Sequence, residues 1–361
     1  MTAHRLVIVG TGNSVGNHLK SIEKLGDRTE IVAAVDLDAE RVQAFCKEND
    51  IPNWYTSVGE MLAAEKPDLV CVVTPPATHA DISIECMEAG SWVYCEKPLC
   101  SSLAEFDRIQ EAQERTGQYV STVFQWRFGS AGKHIKKLIQ QGALGKPTVA
   151  VCNTLWYRTQ DYYNVPWRGK YKTEFGGPTM TLGIHLTDLF LWLMDDWQDV
   201  RAIIGTLDHD IEVEDASLAL VRFGSGALAS IVNSSVSPRQ ESYLRMDFQK
   251  ATLECTTLYR YSNEHWKFST PNDEDNDALA AWNELSEDFS GTHDVQIGEI
   301  LDCLEANEPP PLVGDEARRI IEFTASLYKS AKTGETVKRG DITPDDPFYY
   351  GNAGIMPEVG D

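Results

Sequence analysis

Short, continuous apolar runs alternate with helix-like stretches through the first 125 residues. The runs cover residues 6–9, 31–35, 69–73, 91–95 and 119–125. Strands that are apolar on both faces are typical of parallel sheets covered by helices on either side. The alternation therefore predicts an α/β fold with a doubly wound parallel sheet.

A second domain is expected after this region, because 361 residues are more than one hydrophobic core usually holds. We place the first domain at residues 1–125 and the second at residues 126–361. From residue 147 onward the pattern changes to period-2 strands with tight turns, which predicts an antiparallel sheet with one free face. The predicted strands are 148–157, 200–207, 217–223, 227–233, 243–248 and 252–258, with a hairpin at Phe223-Gly224-Ser225-Gly226-Ala227 and helices at 295–306 and 315–333.

The first apolar run ends in Gly10-Thr11-Gly12-Asn13-Ser14-Val15-Gly16, and a helix-like stretch follows. The first two glycines permit a tight turn in which backbone N–H groups approach a pyrophosphate at a helix N-terminus. The third glycine falls one place later than in the usual dinucleotide fingerprint. The pattern indicates dinucleotide binding but is not specific on its own.

Asp36 ends the second run. A carboxylate there accepts hydrogen bonds from both ribose hydroxyls of an adenosine and repels a 2′-phosphate. The next residues, Leu37 and Asp38, supply no basic group for such a phosphate, so we predict NAD rather than NADP. The other interpretation of Asp36 is a helix N-cap.

Two further runs end in polar turns. Thr74-Pro75-Pro76-Ala77-Thr78-His79 follows the third unit, where His79 either touches a cofactor or is a capping or core histidine. Glu96-Lys97-Pro98 follows the fourth run; the proline ends the strand and keeps Lys97 at the rim, where open α/β sheets bind ligands. A lysine there can orient a substrate hydroxyl and stabilise the alkoxide that forms on it. The other interpretation is a surface ion pair.

The net charge of −23 argues against nucleic acid or an anionic membrane as a partner, and favours a neutral substrate. No apolar run has the length of a membrane span, and the N-terminus leads into a strand without a signal peptide. The eight cysteines are scattered and none forms a Cys-x-x-Cys pair, so we interpret them as reduced core residues of a cytoplasmic protein. We predict no metal site.

In the second half, apolar residues at helical spacing follow the turn at Gly176-Gly177-Pro178, and His185 lies in the first turns of that helix. A helix N-terminus disfavours the imidazolium and keeps the ring neutral, as a general base requires. Asp188 is placed to orient the ring or to cap a neighbouring segment. The other interpretation is a buried structural histidine. Aromatic residues crowd between positions 156 and 175, as either a sugar-binding surface or a lid or subunit interface.

Taken together, the glycine loop, Asp36, the Thr74–His79 segment and Cys95-Glu96-Lys97-Pro98-Leu99 resemble the glucose–fructose oxidoreductase / inositol dehydrogenase / rhizopine catabolism (Gfo/Idh/MocA) family. The resemblance continues through Gln125-Trp126-Arg127-Phe128, Trp167-Arg168 and Gly183-Ile184-His185-Leu186-Thr187-Asp188. It implies an N-terminal Rossmann domain and a C-terminal α+β domain with a large, open, mostly antiparallel sheet. It also implies NAD- or NADP-dependent chemistry on a carbinol of a sugar, polyol or cyclitol, in a homodimer or homotetramer built through that sheet.

By matching position, the resemblance implies that Lys97 lies near the nicotinamide and that His185 transfers the proton. We assign the cofactor to Gly10, Gly12, Asn13, Ser14, Val15, Asp36, Thr74, Pro75, Pro76, His79, Glu96, Lys97, Gln125 and Arg168. We assign the substrate to Lys97, Arg127, Trp167, Arg168, Thr181 and His185, although Arg127 is equally suited to tying the two domains together. Family dehydrogenases commonly carry aspartate where Thr181 stands, and threonine cannot be a carboxylate base.

The sequence thus predicts an NAD-dependent dehydrogenase that oxidises a secondary hydroxyl of a neutral sugar, glycoside or cyclitol. Two alternatives stay open at this point. One is an enzyme that retains NAD and cleaves a glycosidic bond through transient oxidation. The other is a non-enzymatic sensor that binds a dinucleotide.

Overall fold

The structure is a computed structural model, and it describes residues 3–194, 196–257, 259, 261–271 and 276–356. The chain divides into two compact units. Unit 1 comprises Met1–Val123 and His293–Arg318, and unit 2 comprises Phe124–Thr292 and Arg319–Asp361.

Unit 1 contains a six-stranded sheet in which every described pairing is parallel. Its strands are β1 (His4–Val9), β2 (Thr29–Val35), β3 (Asn53–Tyr55), β4 (Leu69–Val72), β5 (Trp92–Cys95) and β6 (Val120–Thr122). The spatial order is β3-β2-β1-β4-β5-β6. This is the Rossmann order, with the direction of winding reversed between β1 and β4, and it confirms the predicted parallel fold.

The helices of this region begin and end where local signals place them. They are α1 (Val15–Glu23), α2 (Ala39–Glu48), α3 (Val58–Glu65), α4 (His79–Glu88) and α5 (Leu103–Thr116). The Asp38, Ser57 and Ser102 side chains each accept a backbone N–H in the first turn of α2, α3 and α5. These caps satisfy donors that no helical carbonyl can reach.

The last strand of unit 1 is shorter than the sequence predicted. We expected it over residues 119–125, but β6 ends at Thr122 and residues Gln125–Phe128 form a buried 3₁₀ turn. The backbone leaves strand geometry at Phe124, whose φ is −132° and ψ is 54°. An apolar run alone does not distinguish a strand from a buried turn, so the pattern could not place this boundary.

Unit 2 is built on an eight-stranded sheet of order β13-β12-β11-β7-β10-β9-β8-β14. Only the pairing of β7 with β10 is parallel among those described, which confirms the mostly antiparallel sheet. The strands are β7 (Pro147–Tyr157), β8 (Trp197–Gly205), β9 (Ala216–Phe223), β10 (Leu228–Ser234), β11 (Val236–Phe248), β12 (Thr252–Thr257), β13 (Trp266–Ser269) and β14 (Val337–Lys338). The predicted hairpin closes through the Phe223 N–H, which donates to Ala227 O at 2.9 Å.

Two further strand predictions differ from the structure by three residues or more at one end. β11 starts at Val236 rather than at residue 243, and β8 covers Trp197–Gly205 rather than 200–207. Leu258, the predicted end of β12, lies outside the described residues.

The remaining helices are α6 (Ser130–Gln140), α7 (Gln160–Tyr163), α8 (Tyr171–Glu174), α9 (Pro178–Thr181), α10 (Ile184–Met194), α11 (Asn276–Trp282), α12 (His293–Ala306) and α13 (Asp315–Thr333). Ile297, Ile300 and Leu301 of α12 are fully buried in the core of unit 1. Residues 293–318 therefore belong with the parallel sheet, whereas we had placed all of 126–361 in one contiguous domain. A helix pattern shows which face is apolar but not which sheet covers it. Among the described helices, none combines the length and the apolar character needed to cross a membrane.

Candidate active site

The predicted cofactor residues of unit 1 lie at one edge of the parallel sheet. The glycine loop follows β1, Asp36 follows β2, Thr74 comes after β4, and Glu96 with Lys97 follows β5. Because β2, β1, β4 and β5 are parallel neighbours, their carboxyl ends meet at the same edge. The structure thus brings these residues together.

The glycine loop has the shape that a pyrophosphate site requires. Gly10 has a φ of +99°, and a Cβ there would lie 2.7 Å from Val73 O, so no other residue fits without displacing the end of β4. At Gly12 a Cβ would meet no atom within 4 Å, which leaves open space beside the backbone. The side chain of Ser14 makes no capping bond to α1. The Val15 N–H donates to Gly12 O at 3.2 Å and the Asn17 N–H to Ser14 O at 3.3 Å, so the backbone itself closes the first turn of α1. The open space at Gly12 fits the close approach of a pyrophosphate to the loop.

Asp36 is fixed as a carboxylate beside this loop. Its Oδ2 accepts the Thr11 N–H at 2.9 Å and the Thr11 hydroxyl at 2.8 Å, and its Oδ1 accepts the Asp38 N–H at 3.1 Å. Burial acts to raise the pKa of Asp36, but these bonds and the nearby Arg41 outweigh it and hold the pKa below its usual value. The helix cap is Asp38 and not Asp36, so the N-cap interpretation of Asp36 is wrong.

A basic side chain that the sequence analysis overlooked faces Asp36. Arg41, on the first turns of α2, places its guanidinium 3.6 Å from the Asp36 carboxylate and 3.1 Å from that of Asp38. Our argument that no cation is available for a 2′-phosphate was therefore incomplete. Two carboxylates face this one cation, so the local charge still disfavours a phosphate.

Replacing Asp36 with serine is expected to weaken the preference for NAD over NADP by about 30- to 100-fold in the ratio of kcat/KM values. The variant removes a like charge from the 2′-phosphate position, an effect of about 2–3 kcal/mol, and releases Arg41 to pair with the phosphate. Steady-state kinetics with both cofactors would measure it. Glu40→Ser is the matched control, because it removes an exposed carboxylate from α2, the helix that carries Arg41. An unchanged ratio in Asp36→Ser would contradict the assignment.

His79 joins the Thr74 turn to the lysine turn. The ring is fully buried, with Nδ1 2.7 Å from Pro98 O and Nε2 2.9 Å from Thr74 O. Burial lowers the pKa of this histidine. The structure favours the second of the two interpretations we left open, a core histidine, because the ring contacts carbonyls and has no exposed surface for a cofactor.

Glu96 has partners beyond the surface ion pair with Lys97 that the alternative interpretation expects. Glu96 Oε2 accepts the backbone N–H of Lys97 at 3.1 Å, and Glu96 Oε1 lies 2.8 Å from Nε2 of the buried His18. Lys97 is partly exposed, at the end of β5. The carboxylate therefore holds the turn that carries the lysine.

In unit 2, His185 is the second residue of α10 and is 6% exposed. Its ring stacks on Trp126 at 5.7 Å and 24°, and meets Phe124 and Tyr259 edge-on at 6.3 and 6.1 Å. Three aromatic rings thus fix the plane of the imidazole.

Gly183 allows the start of α10, the helix that carries His185, to pack closely against β10. A Cβ at Gly183 would lie 1.9 Å from Asn233 Oδ1 of β10, so only glycine allows this close approach. The start of α10, and with it His185, is thereby held against the sheet.

Asp188 forms a buried ion pair with Arg127, and its role in orienting His185 stays a prediction. Its carboxylate accepts two hydrogen bonds from Arg127, at 2.6 and 2.5 Å, and the two side chains are 1% and 4% exposed. Arg127, which we assigned to the substrate, is committed to this buried pair within unit 2. It also lies over the ring of Trp192, at 5.8 Å.

Gln125 and Thr181 each make a hydrogen bond within unit 2. The Gln125 amide donates to the Tyr259 hydroxyl at 3.0 Å, while its buried Oε1 has no hydrogen-bond partner among the described residues. The Thr181 hydroxyl donates to Gly177 O at 3.0 Å, which ties it to the start of α9. An unsatisfied buried acceptor is rare, and a ligand donor would relieve its cost.

Arg168 and Trp167 belong to the aromatic segment. The Arg168 guanidinium lies over the rings of Tyr162 (3.9 Å) and Trp167 (4.5 Å), and pairs with the buried Glu174 at 3.3 Å. Its charge is thus already balanced inside unit 2. Both residues stay predictions as ligand contacts.

The sequence analysis missed His18, His293, Arg41 and Tyr259. The buried residues of α1 recur at helical spacing, and His18 falls on that face, which was the available signal. His293 and Tyr259 are distant in sequence from what they contact, so no local pattern identifies them, whereas Arg41 lies close in sequence to Asp36 and Asp38.

Comparison with known proteins decides the family. A sequence model described as an oxidoreductase family with an NAD-binding Rossmann fold matches residues 4–124. A model of the GFO/IDH/MocA C-terminal domain matches residues 133–256. The chain belongs to the Gfo/Idh/MocA family. The resemblance inferred from the motifs is thereby confirmed, and so are the oxidoreductase class and the NAD cofactor.

Individual members of the Gfo/Idh/MocA family match along almost the whole chain. D-apiose dehydrogenase of Paraburkholderia graminis is 25% identical over 356 residues, covering 94% of this chain and 91% of its own. Inositol 2-dehydrogenase of Salmonella typhimurium is 25% identical over 354 residues, covering 95% and 98%. The structure of the WlbA dehydrogenase from Bordetella pertussis, in complex with NADH and UDP-GlcNAcA, matches with a TM-score of 0.81 and 28% identity, covering 93% and 98%.

Proposed function

We propose that this protein oxidises a secondary hydroxyl of a neutral sugar, glycoside or cyclitol to a ketone, with NAD as the oxidant. The observation that carries the proposal is the Lys97 turn at the carboxyl edge of the NAD-binding sheet. Glu96 accepts the N–H of Lys97, and His79 contacts the carbonyl of Pro98, so the lysine is held on both sides. A preorganised cation lowers the energy of a charge that develops near it without a reorganisation cost.

Lys97 is proposed to bind the reacting hydroxyl and to stabilise the negative charge that grows on its oxygen. An ammonium has three donors and no acceptor, so it stabilises the alkoxide more than the alcohol.

His185 is proposed to take the hydroxyl proton as general base. The packing of its ring by Trp126, Phe124 and Tyr259 restricts its orientation, as a positioned general base requires. Thr181 supplies only a hydroxyl where relatives commonly have a carboxylate, which leaves the proton to His185.

The cofactor is proposed to lie on the glycine loop (Gly10, Gly12, Asn13, Ser14 and Val15), Asp36, the Thr74-Pro75-Pro76 turn and Lys97. NAD supplies the hydride acceptor when bound. Gln125 is proposed to accept a hydrogen bond from the cofactor, because its buried Oε1 has no hydrogen-bond partner among the described residues. Glu96 is proposed to act indirectly, by holding the backbone of Lys97 in place.

The substrate class is supported by the relatives and by charge. The names of D-apiose dehydrogenase and inositol 2-dehydrogenase give a sugar and a cyclitol as their substrates, and a net charge of −23 disfavours anionic ligands. The comparisons lend no support to the glycosidase or sensor alternatives.

The test is NADH formation, followed at 340 nm, with inositols, aldoses and glycosides supplied separately with NAD and with NADP. We expect turnover with NAD and one class of neutral sugar. A UDP-sugar acid belongs in the panel, because the Bordetella relative was solved with UDP-GlcNAcA. Turnover confined to that compound would contradict the neutral substrate, and no turnover with any sugar would contradict the dehydrogenase assignment.

We also propose that two or four copies associate through the outer face of the eight-stranded sheet. Five large apolar side chains on β7, β8, β9 and β10 are more than half exposed there: Val149, Ile203, Leu218, Leu220 and Leu228. In the strand register Ile203 faces Leu218 and Leu228 faces Val149, and Leu220 lies two residues after Leu218 on the same side of β9. An exposed apolar patch of this kind marks an interface. A second copy offers the same face, which makes a two-fold contact self-complementary.

Replacing Leu220 with aspartate is expected to reduce the molar mass in solution to that of one or two chains. A charge at the centre of a buried apolar contact has no partner and is costly to desolvate. Size-exclusion chromatography with light scattering measures the mass. Leu279→Asp, at an exposed leucine of α11, is the control. A wild-type mass of 40.3 kDa, that of one chain, would refute the assembly.

A cytoplasmic location is proposed as well. All eight cysteines are free and seven are buried, as suits a reducing compartment. Cell fractionation would test it.

A further inference from the structure

A cluster of titratable side chains in unit 1 has no part in the mechanism proposed above. His18 of α1, Glu96 and His293 of α12 each offer a nitrogen or oxygen atom, and these atoms all lie within 4.8 Å of one another. His18 is fully buried and His293 is 5% exposed. Two helices distant in sequence, α1 and α12, therefore converge on Glu96, the residue that precedes Lys97.

The contacts form a chain that leads to Lys97. His18 Nε2 lies 2.8 Å from Glu96 Oε1, and Glu96 Oε2 accepts the Lys97 N–H at 3.1 Å. The His293 ring packs on His18 with centroids 4.5 Å apart, and its Nδ1 lies 2.8 Å from the Tyr94 hydroxyl. His293 and Tyr94 thus fix the ring of His18 from one side.

The direction of the His18–Glu96 bond follows from charge. Burial acts to raise the pKa of Glu96, but the His18 bond and the nearby charges of His18, His293 and Lys97 outweigh it, so this pKa lies well below its usual value. An ionised carboxylate only accepts, so His18 donates from Nε2. His18 Nδ1 is buried without a hydrogen-bond partner among the described residues, so the ring is held through Nε2 and by packing.

We propose that His18 is a positioning residue for Lys97: it holds the Glu96 carboxylate that fixes the backbone of the lysine turn. The helix that carries His18 begins at the glycine loop, so one rigid element sets the lysine relative to the site proposed for the pyrophosphate. The inference rests on the proposed function for the role of Lys97 in turnover, but the geometry it describes is testable without turnover.

A metal ion held by the same three side chains is the competing interpretation. Ligand atoms at 2.0–2.1 Å from a tetrahedral metal stand about 3.3 Å apart. The 2.8 Å between His18 Nε2 and Glu96 Oε1 is instead the length of a hydrogen bond. The geometry favours the positioning role, and metal content becomes an outcome of the test.

The experiment compares two amides that differ in reach. In His18→Gln the side-chain nitrogen can take the place of Nε2 and donate to Glu96, whereas in His18→Asn it falls short. The first readout is the rate at which an N-hydroxysuccinimide ester modifies Lys97, measured by peptide mass spectrometry. We expect at least about a 3-fold change in His18→Asn, and a rate close to wild type in His18→Gln, because only the asparagine variant releases the turn.

The second readout is kinetic. We expect His18→Asn to lower kcat by about 10- to 100-fold, since small misplacements of a catalytic group have losses of this order. The Kd for NAD should stay within about 3-fold, and His18→Gln should recover most of kcat. A merely structural histidine would not separate the two amides in this way. His134→Asn is the control: it removes another buried histidine whose Nε2 contacts a backbone carbonyl, that of Ala281 in unit 2.

Each contrary outcome is distinct. Equal Lys97 modification rates in both variants and the wild type would refute the positioning role. About one metal ion per chain in the wild type, lost in His18→Gln, would replace it with a metal centre. If the wild type oxidises no sugar, the proposed function fails while the modification rates still decide this inference. If His18→Asn does not fold, Glu96→Gln carries the same modification test, and an unchanged rate there refutes the proposal.

Discussion

Lys97→Met is expected to lower kcat by about 10²- to 10³-fold while the Kd for NAD changes by only a few-fold. Loss of one preorganised donor at a developing oxyanion has a cost of this order. Methionine has nearly the length and apolar stem of lysine, so the turn held by Glu96 and His79 should keep its shape. Steady-state kinetics with the substrate identified by the panel, and titration of NAD by fluorescence, measure the two quantities.

The lysine variant needs a matched control and a companion. Lys20→Met removes an exposed lysine from α1 and should leave both quantities unchanged. His185→Asn should also lose turnover, but its residual activity should rise with pH as hydroxide takes over from the missing base. Wild-type turnover in Lys97→Met would exclude the lysine from the chemistry, whereas equal losses of kcat and NAD affinity would make it a cofactor contact only.

Arg127→Met is expected to lower the free energy of unfolding by about 3–5 kcal/mol. The change leaves the Asp188 carboxylate, 1% exposed, without the guanidinium that donates two hydrogen bonds to it. Breaking a buried pair from one side has a cost of this size because a charge stays in a low-dielectric interior. Denaturant unfolding of unit 2, followed by tryptophan fluorescence, measures it.

Two comparisons separate this effect from a loss of packing. The double variant Arg127→Met with Asp188→Leu should recover most of the stability, since a buried pair is often replaceable by apolar groups of similar volume. Arg108→Met breaks an exposed pair with Asp81 and should change the stability by no more than about 1 kcal/mol. A single Arg127 variant as stable as the wild type would show that Asp188 does not depend on this cation.

Much of the candidate site was predictable because its signals are local. The glycines of the first turn, the carboxylate at the end of β2 and the lysine before Pro98 each follow an apolar run directly. Parallel strands bring such positions to one edge of the sheet by topology alone. His185 was predictable in the same way, from its place at the start of an apolar helix.

The changes in the predicted roles of side chains mostly concern partners distant in the chain. Arg127 meets Asp188 across 61 positions, and His18 meets Glu96 across 78. Arg41 is close to Asp36 in sequence, yet its approach depends on how α2 leaves β2. Side-chain pairs of this kind have no periodic signature, so the sequence could assign Arg127 to a substrate and Asp188 to a histidine with equal ease.

By itself, the sequence determined the parallel and antiparallel halves, the hairpin and the polar residues that follow β1, β2, β4 and β5. These depend on steric preferences and hydrophobic periodicity within a few residues. Only the tertiary structure decided that α12 packs into the core of unit 1, that Asp188 is neutralised by Arg127, and that His18 holds Glu96. Those outcomes depend on which apolar faces and which charges meet once the chain is compact, and burial makes each such meeting either strongly favourable or costly.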